Sequence, residues 1–345
     1  MLLMDVQENV SLASYSTMRL GGNARYLAEA KTDNEVQELV AWAKSKGIGF
    51  IVIGGGSNIV WRDEGFPGLV IVDKVMGKDL LHEDDVGATV RLGGGENWDE
   101  SVAWTVKRDL SGIEFLSLIP GTVGAAPVQN IGAYGGELSR VLKEVAVYDT
   151  QAGCFESILN ESCGFSYRDS RFKSADKGRF VITHIVLELK KTHPQPPFYE
   201  SLQTYFDEHD IREFSPSVIR ESVIAIRSSK LPDPAEVANN GSFFTNPTIE
   251  QSRFDELKQR YPEIKGWPAS EGRIKLAAGW LVEQAGFKGI HDEQTGMATW
   301  GKQALVLVNE HAHSTSDLLK FKQKIVDEVQ QRFGLTLEQE PELLP

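Results

Sequence analysis

Phe50-Ile51-Val52-Ile53-Gly54-Gly55-Gly56-Ser57-Asn58 is a short apolar run that ends in consecutive glycines. β-prone residues bounded by glycine read as a buried strand. The glycines let the backbone take positive φ and bring N–H groups close to a bound anion, usually a phosphate. Upstream, Thr32-Asp33-Asn34-Glu35 has the form of a capping box, with Thr32 as N-cap. Val36, Leu39, Val40 and Ala43 then recur on one helical face, and Gly47 stands where a helix would stop. With Val70-Ile71-Val72 beyond as another short strand, residues 1–74 read as a β-α-β segment.

The strand-then-glycine pattern recurs. Val86, Ala88, Val90 and Leu92 alternate as a half-buried strand does and end at Gly93-Gly94-Gly95-Glu96-Asn97, with a helix through Trp98, Val102 and Val106 expected next. Neither triplet fits Gly-x-Gly-x-x-Gly, because Ile59 stands where a third glycine would follow Gly54 and Gly56. Neither is followed by Gly-Lys-Ser/Thr, so a nicotinamide Rossmann domain and a P-loop are both unsupported. Val145–Tyr148 and Cys154-Phe155, joined by Asp149–Gly153, read as a hairpin, and Val181–Leu189 as a long strand. A connection rich in proline, Pro194-Gln195-Pro196-Pro197, reads as a rigid loop. Farther on, a helix is expected over Lys275–Ala285, stopped by Gly286, then a strand at Ala304–Val308. A long helix follows with Ser314 as N-cap, a face of Leu318, Phe321, Ile325, Val329 and Phe333, and Gly334 as terminator. The pattern is α+β without repeats.

At 345 residues the chain has room for two or three domains. Its net charge of −13 and lack of a Lys/Arg block argue against nucleic acid as a main partner. Any anionic ligand must then be met by a local set of cations and N–H groups. No run of eighteen apolar residues exists, so no membrane span is expected. The start, Met1-Leu2-Leu3-Met4-Asp5, lacks the features of a signal peptide. Cys154 and Cys163 are too few for a disulfide framework or a cysteine-rich metal site, which points to a cytoplasmic protein. The seven histidines show no ligand spacing, and no metal site is expected.

Candidate chemistry lies in several segments. In Gly241-Ser242-Phe243-Phe244-Thr245-Asn246-Pro247 a hydroxyl is flanked by a flexible backbone and by two aromatics that could exclude water, conditions under which a serine becomes a useful acid or nucleophile. The bland alternative is a Gly-Ser turn entering an apolar strand. Ile119 to Gly136 is rich in glycine, with Gln129, Asn130 and Tyr134 interleaved. It reads either as a bed for an extended ligand or as a packing loop. In Tyr167-Arg168-Asp169-Ser170 a guanidinium beside a phenol suits a carboxylate or a developing oxyanion. The alternative is a surface Arg168–Asp169 pair. Arg227-Ser228-Ser229-Lys230 places two cations beside Pro232-Asp233-Pro234, facing either phosphates or solvent. Leu337-Glu338-Gln339-Glu340 closes the chain with carboxylates that alone would read as a solvated strand face.

Taken in order, from about Tyr15 to about Glu340, these segments resemble the UDP-N-acetylenolpyruvoylglucosamine reductases, flavoenzymes that complete UDP-N-acetylmuramate for bacterial peptidoglycan. The likeness also rests on Arg19-Leu20-Gly21-Gly22-Asn23-Ala24, Ile119–Gly124, Gln129–Gly135, Lys230–Pro234 and Gln303-Ala304, and Tyr199 after the proline loop is similar to the tyrosine of the longer, type I branch. The resemblance implies a two-part FAD-binding region of the vanillyl-alcohol-oxidase type over 1–74 and 75–228, a C-terminal α+β substrate-binding domain over 229–335, and a tail, 336–345, returning to the active site. It implies non-covalent FAD held by Gly54, Gly55, Gly56, Ser57, Asn58, Pro120, Gly121, Thr122, Gly124, Ala125, Ile131, Gly132, Ala133 and Arg227. Arg168, Ser242 and Glu340 are implied as the catalytic group, Ser242 as proton donor. Tyr134, Tyr167, Tyr199, Lys230, Asn246 and Gln303 are implied as contacts to the UDP-sugar, with NADPH as co-substrate. Two departures stand out: Gln339 lies where relatives often have proline, so a shift would select Glu338 instead of Glu340, and Gly296-Met297 replaces a Gly-Gly-Ala turn. A flavin oxidase of the same fold, with covalently tethered flavin, and a non-catalytic nucleotide-sugar binding protein are the rival readings.

Overall fold

The structure is a computed structural model that describes residues 5–345. The chain divides into two compact units. The first comprises the segment ending at Val10 together with Ala24–Gly55 and Phe66–Ser229. One of its sheets has the order Gln7–Ser11, Asn23–Ala30, Phe66–Asp73, Phe50–Ile53, and the last three strands run parallel. The crossover is α1 (Asp33–Ser45), whose Val36, Leu39, Val40 and Ala43 are buried with Ala28, Leu69 and Ile71. Its start is built as the sequence implies: the Thr32 hydroxyl accepts from Glu35 N at 3.2 Å. The Glu35 carboxylate reaches one residue farther back, to Lys31 N at 2.6 Å.

A second sheet in this unit is antiparallel, in the order Cys154–Leu159, Leu142–Asp149, Phe180–Lys190, Gly87–Gly93, Lys78–Glu83. Asp149 faces Cys154 at the expected hairpin. α2 (Trp98–Val106), capped by the Asn97 side chain on Glu100 N, buries Trp98 and Val102 under this sheet's core. α3 (Glu200–Glu208) and α4 (Pro216–Lys230) form a small cluster of their own through Leu202, Phe206, Ile219, Val223 and Ile226.

The second unit comprises Ser11–Asn23, Gly56–Gly65 and Lys230–Pro345. It therefore cuts across the continuous segments expected from the sequence. Its main sheet is antiparallel, in the order Ala238–Ser242, Gln303–Asn309, Met297–Trp300, His291–Asp292. α5 (Gln251–Arg260) precedes a three-stranded sheet of Thr248–Glu250, Arg273–Leu276 and Gly266–Pro268. The helix expected over Lys275–Ala285 is shorter: Lys275 and Leu276 belong to a strand, and α6 covers Ala278–Gln284. Ile274 and Leu276 are buried at period two, and that alternation wins over the helical reading. α7 (Thr315–Phe333) has Ser314 as N-cap and Gly334 at φ +68° as terminator, and its expected apolar face is buried. Glu342–Leu344 pairs in parallel with Ile59–Trp61.

Candidate active site

The two glycine triplets serve different ends. A Cβ on Gly54 would lie 2.1 Å from Thr122 Oγ1, and one on Gly55 3.1 Å from Gly121 Cα. These stretches therefore pack closely, Gly54 against the Thr122 side chain and Gly55 against the Gly121 backbone, with Gly121 at φ +124°. The Thr122 hydroxyl is buried there without a hydrogen-bond partner. Bare backbone and an unspent hydroxyl fit a phosphate-bearing group such as the dinucleotide implied by the resemblance. The second triplet does not: Gly93 N donates to Gly77 O, Gly94 N to Thr183 O and Gly95 N to Val75 O. Its N–H groups are spent on carbonyls, so it is a packing device and not an anion cradle. Gly94 and Gly124 make room for Asp73, whose Oδ2 would lie 2.2 Å and 3.0 Å from their Cβ positions. Burial raises the Asp73 carboxyl to about 7, although Val75 N donates to it at 2.9 Å. Pro120 and Ala125 are exposed. Gly56 is at φ +69°, and a Cβ there would lie 2.2 Å from Tyr15 O, so both its backbone and its surroundings require glycine. Ser57 O accepts from the Asn240 side chain and Asn58 O from Glu342 N, all within the second unit.

Ile131 is buried, and Gly132-Ala133 pairs with Gly136-Glu137 across a turn in which Tyr134 (φ 49°) and Gly135 (φ 81°) are both left-handed. That is the geometry a two-residue hairpin needs. A second two-residue turn lies beside it, left-handed only at its second tip residue. Ser166 and Asp169 bond each other in both directions, leaving Tyr167 and Arg168 at the tip, Arg168 at φ 56°. Arg168 Nη2 donates to Gly132 O at 2.8 Å, and its guanidinium stands 5.4 Å from the Tyr167 ring centroid. Asp169 accepts from the Ser174 hydroxyl.

Tyr199, just before α3, and Arg227 of α4 join this cluster. The Tyr134 and Tyr199 rings meet edge to face at 6.2 Å. Arg227 is half-buried, and its Nε is buried without a hydrogen-bond partner. Burial pulls its guanidinium below the usual arginine range, Tyr134 and Asp99 oppose this, and Arg168 adds to it. Burial also raises the Tyr134 phenol, and the charge of Arg227 moderates that rise. Sequence reasoning missed the brace behind them: Arg220 donates to both oxygens of Asp99, at 2.6 Å and 2.8 Å. No local signal links residues 121 apart in sequence.

In the second unit Ser242 ends its strand opposite Val306 and is exposed. The flanking aromatics do not shield it. Phe243 and Phe244 are fully buried in the unit's core and anchor the strand from behind. Gly241 (φ 70°) donates to the Asn239 side chain and shapes the bulge that presents the serine. The tail runs alongside: Glu340 N donates to Phe243 O and Thr245 N to Glu338 O, each at 2.9 Å. Glu340 is half-buried, with its backbone bonded to the residue after the serine, while Glu338 is exposed. The Gln339 side chain donates to Pro341 O and accepts from Lys322 Nζ, holding the tail on both sides of Glu340.

Asn246 and Gln303 come together at the first turn of α6. Asn246 Oδ1 accepts from Ala278 N at 3.0 Å, and a Cβ on Gly279 would lie 3.0 Å from Gln303 Oε1. Lys230 is exposed at the last position of α4. Among the described residues no cluster of His, Cys, Asp and Glu could hold a metal, and no helix is long and apolar enough to cross a membrane.

Residues 24–154 match a family described as FAD binding domain. Residues 233–344 match the C-terminal domain of UDP-N-acetylenolpyruvoylglucosamine reductase. The reductase of that name from Alcanivorax borkumensis is 42% identical over 98% of this chain and 96% of the relative. The one from Pseudomonas aeruginosa is 38% identical over 99% of each. The crystal structure of UDP-N-acetylenolpyruvylglucosamine reductase from Thermus caldophilus covers 99% of this chain at a TM-score of 0.67 and 24% identity, which speaks for the fold. This chain belongs to the UDP-N-acetylenolpyruvoylglucosamine reductase family.

Proposed function

We propose that this chain uses FAD and NADPH to reduce UDP-N-acetyl-3-O-(1-carboxyvinyl)glucosamine to UDP-N-acetylmuramate, a step of peptidoglycan precursor synthesis. The observation that carries the reading is end-to-end similarity to reductases of that name, at 42% identity over 98% of the chain. In this reading FAD is held by the Gly54–Asn58 loop, Pro120, Gly121, Thr122, Gly124, Ala125, Ile131, Gly132, Ala133 and Arg227. The buried, unpartnered Thr122 hydroxyl and Arg227 Nε support that assignment. When bound, FAD supplies the hydride equivalent, drawn from NADPH, that reduces the enol double bond.

The chain's own residues supply the rest. Negative charge develops at the substrate's α-carbon and carboxylate, and Arg168, held by Gly132 O, offers fixed positive charge to it. Ser242 Oγ then gives a proton to the α-carbon. A hydroxyl is a weak acid, so the transfer requires a strongly basic acceptor and a site from which bound substrate has displaced water. Glu340 hydrogen-bonds the substrate carboxylate. Tyr134, Tyr167, Tyr199, Lys230, Asn246 and Gln303 contact the UDP-sugar, with the Lys230 ammonium matching a diphosphate charge. A chain of net charge −13 needs such local cations to hold three anionic ligands. The same charge supports a role without nucleic acid, and the substrate chemistry supports a cytoplasmic location.

A visible spectrum tests the proposal. Flavin bands should be present, bleach on adding NADPH, and return on adding the enolpyruvyl sugar without oxygen. Denaturation should release the flavin. Protein without flavin absorbance, or reduced protein that the sugar does not reoxidise, would overturn the reading.

A further inference from the structure

We infer that Asn130 is a positioning residue that sets the place of the Arg168 guanidinium. The inference rests on the proposed role of Arg168. Asn130 is buried at 2% exposure and takes φ 43°, a left-handed conformation that asparagine enters more readily than most residues. Its Nδ2 donates to Ser166 O at 3.1 Å, and its Oδ1 accepts from Ser139 N at 3.0 Å. Ser166 is the first residue of the tight turn with Tyr167 and Arg168 at its tip. Residues 128–132 therefore grip that turn at successive points: Val128 O takes the Ser170 hydroxyl at 2.6 Å, Asn130 takes Ser166 O, and Gly132 O takes Arg168 itself.

The amide works at both ends. One end is tied to the Ser166 turn, the other to Ser139 in the segment that follows the Gly132–Glu137 hairpin. Arg168 is left-handed at the tip of a two-residue turn, where Lys173 Nζ donates to its carbonyl oxygen and Gly132 O takes its side chain, so the place of the tip follows the place of the turn's first residue. A catalytic group displaced by about 1 Å forfeits roughly a hundredfold in rate. Asn130 thus governs how well Arg168 meets the charge developing on substrate, without touching substrate itself.

Asn130→Asp keeps the shape and the acceptor for Ser139 N but sets a carboxylate against Ser166 O. Asn130→Ala removes both bonds without adding charge, and serves if the aspartate variant does not fold. The expected result is an intact flavin spectrum, flavin reduction by NADPH within about twofold of wild type, and reoxidation by the enolpyruvyl sugar slowed about tenfold or more. In an Arg168→Ala background the same substitutions should add little, because residues that act as a unit are non-additive. Equal losses in both half-reactions, full additivity with Arg168→Ala, or failure of both variants to fold would assign Asn130 to the fold alone and overturn the inference. An Arg168→Ala variant that turns over normally would instead overturn the reading of Arg168, a distinct outcome.

Discussion

Ser242 is exposed on its unit while the two residues after it are fully buried, so the serine's placement and its acidity have separate origins. The phenylalanines hold the strand, and any water exclusion comes with substrate. Ser242→Ala should therefore leave stability and flavin reduction by NADPH nearly intact and lower reoxidation by the enolpyruvyl sugar about 10²- to 10⁴-fold, the range of general acid catalysis. Rapid-mixing absorbance of the two half-reactions checks this, and equal losses in both would mark the serine as structural. A different residue carries a pH dependence. Asp73 is 5% exposed, and burial lifts its carboxyl from the ordinary range to about 7. A raised acid binds its proton in the fold at pH values where the unfolded chain has lost it. Its contribution to stability is thus full below about pH 4 and is lost as pH rises through about 7. Asp73→Asn keeps the acceptor for Val75 N and lacks the charge. Urea melts should find the variant and wild type alike near pH 4, with the variant more stable by on the order of a few kcal/mol at pH 8. A gap that stays flat across this range would show that Asp73 does not titrate as its burial requires.

Elements with local signals were legible in the sequence. The Thr32 and Ser314 caps, the Gly334 terminator and the Asp149–Cys154 hairpin are written in adjacent residues and stand where those residues put them. Lys275–Ala285 reads as one helix because Leu276 and Ala277 run without a turn signal into the apolar residues of α6, while the strand partners of Lys275 and Leu276 lie elsewhere in the sequence. The glycines at 93–95 looked like those at 54–56, and only the carbonyls around them tell packing from ligand binding. The Arg168 turn was legible as chemistry but not as architecture, since Asn130 and Val128 hold it from 36 and 42 residues away. The same limit hid the tie between α2 and α4. Arg220 and Asp99 expose only 15% and 25% of their side chains, and Asp99 also accepts from Leu118 N. Burial works to raise the Asp99 carboxyl, yet Arg220 and Leu118 N hold it below the usual range. Arg220→Met should strand that carboxylate and lower stability by about 2–4 kcal/mol, since removing one partner of a largely buried pair leaves the other uncompensated. Adding Asp99→Asn should recover a substantial part. Denaturant midpoints of the single and double variants decide it, and a single variant as stable as wild type would reduce the pair to a surface contact.

At the scale of the whole molecule, the C-terminal unit is completed by pieces from the other end of the chain. Met18, Leu20 and Val60 lie in one core with Phe243, Leu276 and Phe321. Thr315 donates to Trp61 O, and its N–H reaches Asp63. Long-range closure of this kind leaves no periodicity to read, which is why a division into continuous segments was the natural expectation. It also makes the last residues structural. Glu342–Leu344 pairs with Ile59–Trp61, Glu342 N donates to Asn58 O, and Leu344 is 8% exposed. This short strand begins two residues after Glu340, so the backbone there is fixed by the Glu340 bond to Phe243 O and by the Glu342 bond to Asn58 O. Deleting residues 342–345 removes one anchor and leaves Glu340 in place. Loss of the buried leucine and the strand bonds should cost about 2–4 kcal/mol. That corresponds to a fall of roughly 3–6 °C in the melting temperature of a chain of this length. Turnover per flavin should fall as well, while reduction by NADPH stays near wild type, because only the substrate step draws on the tail. A truncated protein that melts earlier yet turns over at the full rate would show that the Phe243 bond alone suffices to hold Glu340, and the strand would then serve stability only.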